Sequence, residues 1–415
     1  MNNFTIKEHN HNLRYNLFHE FFWGFGVAFH TLYAVVPLFL RELGAPEYIV
    51  VSTAGLFSIV IALPTLFSAA LGRNIKDIKK AVIMVHCIIL LTTFMMGYTF
   101  SILDPNIVSK AWKTYLIYFL LYAFSIGIIV PIWTEFLNQS TLKSHRGRFF
   151  GLGFAFNSIG SFIGGGALRY LLSYDLIFPK NFGIGFFILF FSLTIGTILF
   201  LPFKIKQEGS TGKDKSFNQF ISETLEIIKE HKNFQKYIFS RIFYTACLPG
   251  MGLYAIYCQD RFNFELSEAG VFTVITVIFS GIASYLAGRI GDNYGHKNSM
   301  VLAYAGHLIA ALLAISIWNM FGVYLIFIAI GIGQGAFMPS AMNLIYDFSS
   351  YKDAKTYLAL VDSILAPFVL LYIVLIGWLI NAGNYELSLK ILIVSLFIGI
   401  LIMLFIVEDP KKEKT

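Results

Sequence analysis

The sequence predicts an all-α membrane protein of twelve transmembrane helices in two pseudo-symmetric six-helix bundles. Three observations predict it: twelve long charge-free runs, a one-sided distribution of basic residues, and motifs repeated in the two halves of the chain. A hydrocarbon core of about 30 Å takes about 20 apolar residues as a helix. Strands would need a closed barrel with alternation over about ten residues, a pattern that is absent here.

In order, the runs are 21–40, 48–72, 81–103, 114–134, 149–168, 183–203, 242–259, 269–288, 299–318, 322–346, 363–385 and 391–407. The shorter ones gain a turn from flanking tyrosines and snorkelling charges. Before the first run, Met1 to Asn16 is polar, with His9 and His11 in it and His19 close behind. It lacks the short apolar core and small-residue cleavage site of a signal peptide, and reads as a disordered arm. Cys87, Cys247 and Cys258 fall in or beside runs, with neither a disulfide framework nor zinc spacing, and read as small buried hydrophobes. The longest polar interval, Lys204 to Lys236, separates the sixth run from the seventh. It divides the chain into an N-terminal bundle, 1–203, a linker, 204–234, and a C-terminal bundle, 235–415. Within the linker, Gly209 to Ser216 is flexible in composition. Phe217, Phe220, Ile221, Leu225 and Ile228 then recur at helical spacing, which predicts an amphipathic helix along the membrane surface.

Composition narrows the function. The chain is 57% hydrophobic and 13% charged, about half the charged share of a soluble protein. Its net charge of +7 is topological: with the termini placed in the cytoplasm, 23 Lys and Arg fall inside and 7 outside. That distribution points to the lipid bilayer and away from nucleic acid. No GxxxxGK[ST] loop, catalytic triad or metal cluster is present, so the sequence suggests neither an enzyme nor an ATP-driven pump, and implies no cofactor. The expected setting is a bacterial inner membrane, with the chain acting as a monomer.

The halves echo each other. Gly55 to Arg73 reads GLFSIVIALPTLFSAALGR, and Gly270 to Arg289 reads GVFTVITVIFSGIASYLAGR. GIIVP ends at Pro131, and GQGAFMP ends at Pro339. Two six-helix units of like orientation imply duplication about an axis along the membrane normal, with a binding site between them.

The loop after the eighth run carries Gly288, Gly291, Asp292, Gly295 and Lys297 in the sequence GRIGDNYGHK. Here the chain resembles the major facilitator superfamily. The resemblance implies that Asp292 latches the inner end of the fifth helix in one conformation and releases it in the other. Gly288, Gly295 and Lys297 would form the rest of that latch. The first-half loop, Gly72 to Lys80, departs from the pattern, with its aspartate shifted to Asp77 and the second glycine missing. Gly160, Gly164, Gly165 and Gly166 are similar to a glycine-rich motif of the family's drug/proton antiporters, although Ser161 stands where proline is expected. Small residues at that spacing also serve helix packing in lipid.

Ionisable groups inside membrane spans default to function. The resemblance places helices 1, 4, 7 and 10 around the cavity. The embedded candidates are then Glu20 and His30 on helix 1, Glu135 on helix 4, Arg241 on helix 7, Asp347 on helix 10 and Asp362 on helix 11. All but His30 lie near inner helix ends, as gate ion pairs or as interfacial stabilisers. Glu135, directed by Trp133 and Pro131, leads the set. His30 is either a proton carrier or a histidine hydrogen-bonded in a helix contact. Neutral candidates for holding a solute are Tyr33, Trp133, Asn138, Asn157, Tyr244, Gln334 and Asn343. His86 and His307 receive no role. Pro249 and Gly250 predict a kink in helix 7 that hinges its outer half.

The expected function is secondary active transport of a small organic solute by alternating access, coupled to protons through Glu135, Asp362 or His30. A multidrug-type efflux antiporter is the alternative within transport, and a non-transporting sensor on the same fold is the alternative outside it.

Overall fold

In the computed structural model, the described residues are 4–71, 75, 77–142, 145–205, 228–229, 231–349 and 354–410. The protein is an all-α, multi-pass integral membrane protein. Its helices are α1 (Ile6–Val27), α2 (Val35–Glu42), α3 (Glu47–Leu71), α4 (Ile78–Ile102), α5 (Trp112–Gln139), α6 (Arg146–Leu172) and α7 (Lys180–Ile198). The second half adds α8 (Lys232–Tyr244), α9 (Cys247–Phe262), α10 (Glu268–Tyr294), α11 (His296–Ser316), α12 (Met320–Phe348), α13 (Ala354–Asn381) and α14 (Tyr385–Phe405).

Local chemistry sets the starts and breaks. Thr5 and Glu8 form a capping box that starts α1, and Asp77 and Asn319 cap α4 and α12. The expected disordered arm is therefore a helix from Ile6 onward. Its Asn12 is satisfied by chain ends packed around it: Nδ2 donates to Ser140 O (2.8 Å) and Lys204 O (2.7 Å). Between α1 and α2 the chain passes through a short 3₁₀ turn, Ala28–His30, and an irregular stretch. Pro37 lacks an N–H for the carbonyl four residues earlier, at Tyr33, and the helix opens there. Pro249 acts the same way on Thr245, and α8 and α9 part at Thr245–Ala246. The break in the seventh helix thus falls one turn before the predicted Pro249–Gly250 kink.

Ten helical segments among the described residues are long and apolar enough to cross a membrane. The two runs outside that set have physical reasons. Run 149–168 lies in α6, where basic residues and seven glycines dilute the hydropathy. Run 242–259 is split between α8 and α9, of 13 and 16 residues.

Matching contacts recur in the two halves. Asn12 exchanges a pair of hydrogen bonds with the backbone of Lys204 (2.7 and 2.8 Å), and Asn233 does the same with Glu408 (2.9 and 2.9 Å). Lys79 Nζ donates to Leu201 O, and Lys297 Nζ donates to Leu404 O (both 2.8 Å). His19 meets Gly196 O (2.9 Å), and Ser240 donates to Gly399 O (2.9 Å). These pairs lie on one face of the molecule, where α1 and α8 begin and α7 and α14 end; it is called the terminal face below. Of the three cysteines, Cys247 and Cys258 are buried, whereas Cys87 points outward from α4. The amphipathic segment expected at 217–228 lies outside the described residues except for Ile228, as does most of the first-half loop 72–80.

The glycines of α6 act in packing. At Gly160 the space of a Cβ is filled by the backbone oxygen of Phe21, and at Gly24 by that of Asn157, so α1 and α6 meet backbone to backbone. Gly165 faces Val274 and Gly270 of α10 instead, and a Cβ on Gly270 would meet the backbone of Arg169.

Candidate functional site

The face opposite the terminal face is pinned shut between the halves. On α2, Arg41 forms an ion pair with Asp260 of α9 and donates to Ile256 O (2.9 Å) and Gln259 Oε1 (3.3 Å). The Tyr385 hydroxyl donates to Glu47, joining the starts of α14 and α3. Thr31 faces Thr273 at 3.4 Å, and Tyr33 packs on Phe327 (ring centroids 6.5 Å). Gly252 of α9 fits against the backbone of Val50, and Gly55 of α3 against Ile373 of α13.

Toward the terminal face α10 is open at two positions. On α10 the line that packs on α6 at Gly270 continues through Gly281 and Gly288, within about 20° at 100° per residue. Nothing lies within 4 Å of the Cβ position of either Gly281 or Gly288. This open side of α10 is called the wedge below.

Two polar pairs sit beside this wedge, one in each half. In the first, Glu20 of α1 is 5% exposed and accepts a hydrogen bond from Asn157 Nδ2 of α6 at 3.0 Å. Among the described residues that is its one hydrogen bond, and no cation lies at ion-pair distance. In the second, Arg241 of α8 is 7% exposed. Its guanidinium lies over the Phe337 ring (4.7 Å) and beside those of Tyr244 (5.7 Å) and Tyr237 (5.8 Å). Nη1 donates to the Tyr237 hydroxyl (2.9 Å), while Nε is buried without a partner. Asp362 of α13 interacts electrostatically with Arg241 but does not reach ion-pair distance. Asp362 is exposed. A carboxylate facing hydrocarbon is costly.

The offset that relates Asn12 to Asn233 and His19 to Ser240 also relates Glu20 to Arg241. An acid and a base therefore occupy the same place in the two halves.

The other candidates are placed as follows. Glu135 is half-buried near the end of α5, where Gln139 donates to it at 3.0 Å, and Asn138 beside it is exposed. Trp133 is half-buried with its Nε1 unpartnered. His30 receives or donates a hydrogen bond at Tyr115 OH (2.8 Å) and is enclosed by the rings of Phe119, Tyr122 and Phe186. Tyr244 stacks on Phe337 at 5.0 Å and 7°. Gln334 Nε2 donates to Met251 Sδ at 3.3 Å, a weak acceptor, and Asn343 is half-buried further along α12. Asp347 is buried at the end of α12. Among the described residues, no cluster of three His, Cys, Asp or Glu could hold a metal ion.

Sequence reasoning missed Arg41, which it counted only among the basic residues outside, and Asp260 and Glu47, to which it gave no role. It also missed Phe337 and Tyr237, whose role comes from what lies over them. The break in the first helix was signalled by Pro37, inside run 21–40.

The family model described as Major Facilitator Superfamily matches residues 237–415. Solved structures similar to this chain include a POT family transporter in complex with 5-aminolevulinic acid, at 13% identity and TM-score 0.72 over 97% of this chain and 96% of that one. A D-xylose–proton symporter is similar at 13% identity and TM-score 0.72, over 97% and 99% of the two chains. The nucleoside transporter NupG is similar at 12% identity and TM-score 0.66, over 94% and 97%. No curated protein sequence matches the chain. The fold is that of the major facilitator superfamily.

In this major facilitator fold the loop motif closes the turn between α10 and α11. Gly295 has φ +94°, a conformation glycine adopts freely, and the Asp409 carboxylate occupies the space of its Cβ. Lys297 donates to Leu404 O (2.8 Å) and Val407 O (2.7 Å), capping the end of α14. Gly288 lies inside α10, in open space. Asp292 falls about 40° from the Gly270–Gly288 line, on the side toward α6.

Proposed function

We propose that the chain is a secondary active transporter that moves a small organic solute by alternating access, coupled to protons. On this reading twelve helices cross the membrane, with α1 and α2 together forming the first and α8 and α9 the seventh. They form bundles 1–203 and 235–415, joined by the linker 204–234, with both termini in the cytoplasm. The observation that carries the reading is one face pinned between the halves, an open side of α10 beyond it, and buried Glu20 and Arg241, which have no ion pair among the described residues. Buried, unpaired charges in a membrane protein are costly and belong to pathways.

The conformation is then inward-open. The half-helices α2 and α9 form the outer closure, and Pro37 and Pro249 supply the flexible joints behind them. Asp292 acts as the cytoplasmic latch toward α6, with Gly288, Gly295 and Lys297 shaping its loop. Glu20 and Asp362 are the proposed proton carriers. Each is a carboxyl without an ion-pair partner, able to take up a proton and release it when water reaches it. Glu135 belongs to the cytoplasmic mouth, and His30 to the packing of the first half. Similarity to proton-coupled and solute-specific transporters of the same fold supports this reading.

The test is uptake of radiolabelled solutes into proteoliposomes with and without an inward proton gradient. Gradient-driven accumulation is expected. A solute that binds without any flux or counterflow would favour the sensor alternative.

A further inference from the structure

We infer that the transported solute carries a carboxylate, and that this group docks on Arg241 beside Asp362. The inference rests on the transport reading of the same site. Its starting point is an imbalance. The Arg241 guanidinium has five N–H donors, and among the described residues one of them makes a hydrogen bond, to the neutral Tyr237 hydroxyl. Nε is buried and unpartnered. No carboxylate stands at ion-pair distance, and the surrounding rings of Phe337, Tyr237 and Tyr244 supply only their faces. A buried cation so placed lacks an anion.

The geometry of the guanidinium and its surroundings narrows the anion. A guanidinium is a flat fork that matches a carboxylate with two parallel hydrogen bonds. The aromatic walls around it suit the carbon skeleton of an organic acid. Gln334, one turn before Phe337 on α12, holds only the Met251 thioether and leaves its amide for a second polar group of the solute.

Asp362 makes the arrival of an anion a protonation event. The charged group acting on it is Arg241. The other elements packed on α13 add little at this depth. On α3 the titratable residues are Glu47 and Tyr48, at the pinned end, and on α14 they are Tyr385, Glu386 and Lys390, also at the pinned end. On α12 they are Tyr324, near the pinned face, and Tyr346 and Asp347, at the terminal end. On α9 they are Cys247, Tyr254, Tyr257, Cys258, Asp260 and Arg261. Arg241 itself also feels Tyr237 of α8 and Tyr304 of α11. With a solute carboxylate at Arg241, two anions share one cation, and one of them is neutralised. Asp362, open to the wedge, takes a proton from a hydronium ion: its carboxyl O–H bond forms as one O–H bond of the hydronium breaks, and water is left. A monocarboxylate and a proton then move together with no net charge.

The experiment is a thermal-stability comparison on the purified full-length protein, using matched pairs: lactate and lactamide, benzoate and benzamide, and a dipeptide and its C-terminal amide, with glycerol phosphate as a further anion. Each is run at mildly acidic and mildly alkaline pH for wild type, Arg241→Gln, Arg241→Lys and Asp362→Asn. The expected result is that an acid stabilises and its amide does not, more strongly at the lower pH. Arg241→Gln should weaken that acid at least about tenfold, the worth of a charge-assisted contact. Arg241→Lys, which keeps the charge but loses the fork, should weaken it less and decides the matter if Arg241→Gln does not fold. Asp362→Asn should bind the acid equally at both pH values. Stabilisation by amide and acid alike, by glycerol phosphate in preference to every acid, or by no acid at all overturns the inference. So does an acid whose affinity survives both Arg241 substitutions. Proteoliposome uptake separates the two readings: flux of a neutral solute alone sinks the carboxylate site and leaves transport standing, whereas an acid bound at Arg241 without flux does the reverse.

Discussion

The first and seventh membrane helices are built alike and equipped differently. Each begins at the terminal face with an asparagine clamped to the end of its own half: Asn12 to Lys204, and Asn233 to Glu408. Each opens about four residues before a proline, Pro37 in one and Pro249 in the other, and each sends a short half-helix to the pinned face. At the same register between clamp and break, one carries Glu20 and the other Arg241. What the halves share is scaffold, and where they differ is the place to look for chemistry.

Neutralising the unlike pair should have the largest effect. Arg241→Gln is expected to lower solute uptake in proteoliposomes by about tenfold to a hundredfold, since hydrogen bonds to a charged group are worth about 1.5–3 kcal/mol. Glu20→Gln preserves an oxygen for the Asn157 hydrogen bond, so the fold should survive. It should abolish stimulation by a proton gradient while leaving solute counterflow intact. Equal losses of counterflow in the two variants would mean that the two positions serve one structural role, and the comparison would lose its meaning.

The shared clamp predicts the next effect. Asn12 is fully buried and makes three hydrogen bonds, whereas Asn233 is half-buried and makes two. Asn12→Ala leaves the Ser140 and Lys204 groups without partners away from water, at a cost of about 3 kcal/mol. Asn233→Ala exposes its partners to solvent, at about 1 kcal/mol. Melting curves in detergent should rank wild type, Asn233→Ala and Asn12→Ala in falling order. A reversed order would show that the terminal face is not held as the structure places it.

Next come the two breaks. Pro37→Ala and Pro249→Ala each restore an N–H that can bond the carbonyl four residues back, straightening the helix and stiffening the joint. Both should slow uptake several-fold while leaving solute affinity near wild type. Unchanged transport in Pro249→Ala removes the hinge from the mechanism.

Much of this architecture was legible beforehand because bilayer thickness imposes itself on the sequence. Charge-free runs of the required length mark helices whatever their packing. Two runs were legible as spans but fall short as single apolar helices. One is rich in glycines that let α6 touch α1, and the other holds the Pro249 break. The site was legible in part. Arg241, Asp362 and Glu20 stood out because charge in a membrane span is rare. Their pairing did not, because Asn157 and Phe337 approach them only after helices distant in sequence have packed. Glu135 drew attention as an acid beside a tryptophan. Its place near an inner helix end was legible, but that neighbourhood in sequence did not show Gln139 as its local partner. His30 was visible as a mid-span histidine, but its enclosure by rings from α5 and α7 is a tertiary fact.

A smaller effect belongs to the pinned face. The Arg41–Asp260 ion pair is partly exposed, 25% and 39% by side chain, and such pairs contribute about 0.2–1 kcal/mol. Asp260→Asn should therefore shift the balance between the two open states by no more than about fivefold, toward opening at α2 and α9. A cysteine placed at Val51, beneath Gly252, should react faster with an impermeant thiol reagent in that variant. An unchanged labelling rate would show that Gly252 packing and the Glu47–Tyr385 contact hold this face without the ion pair.

The smallest effect separates the two clamps by charge. Glu408 occupies the position of Lys204, and its carboxylate receives a hydrogen bond from Lys236 that holds it below the usual carboxylate range. A group whose folded value lies below its unfolded value contributes stability that is present above the unfolded value, about 4.3 for glutamate, and is lost as pH falls through the folded one. The clamp of the second half should accordingly loosen in acid. Because Glu408 is fully exposed, solvent screening keeps the contribution small. Melting temperatures recorded from neutral pH downward should fall slightly less steeply for Glu408→Gln than for wild type below the glutamate range, and coincide with the shape of the wild-type curve above it. A variant that parallels wild type at every pH would place the acid sensitivity elsewhere, and would leave the two clamps alike in chemistry as well as in geometry.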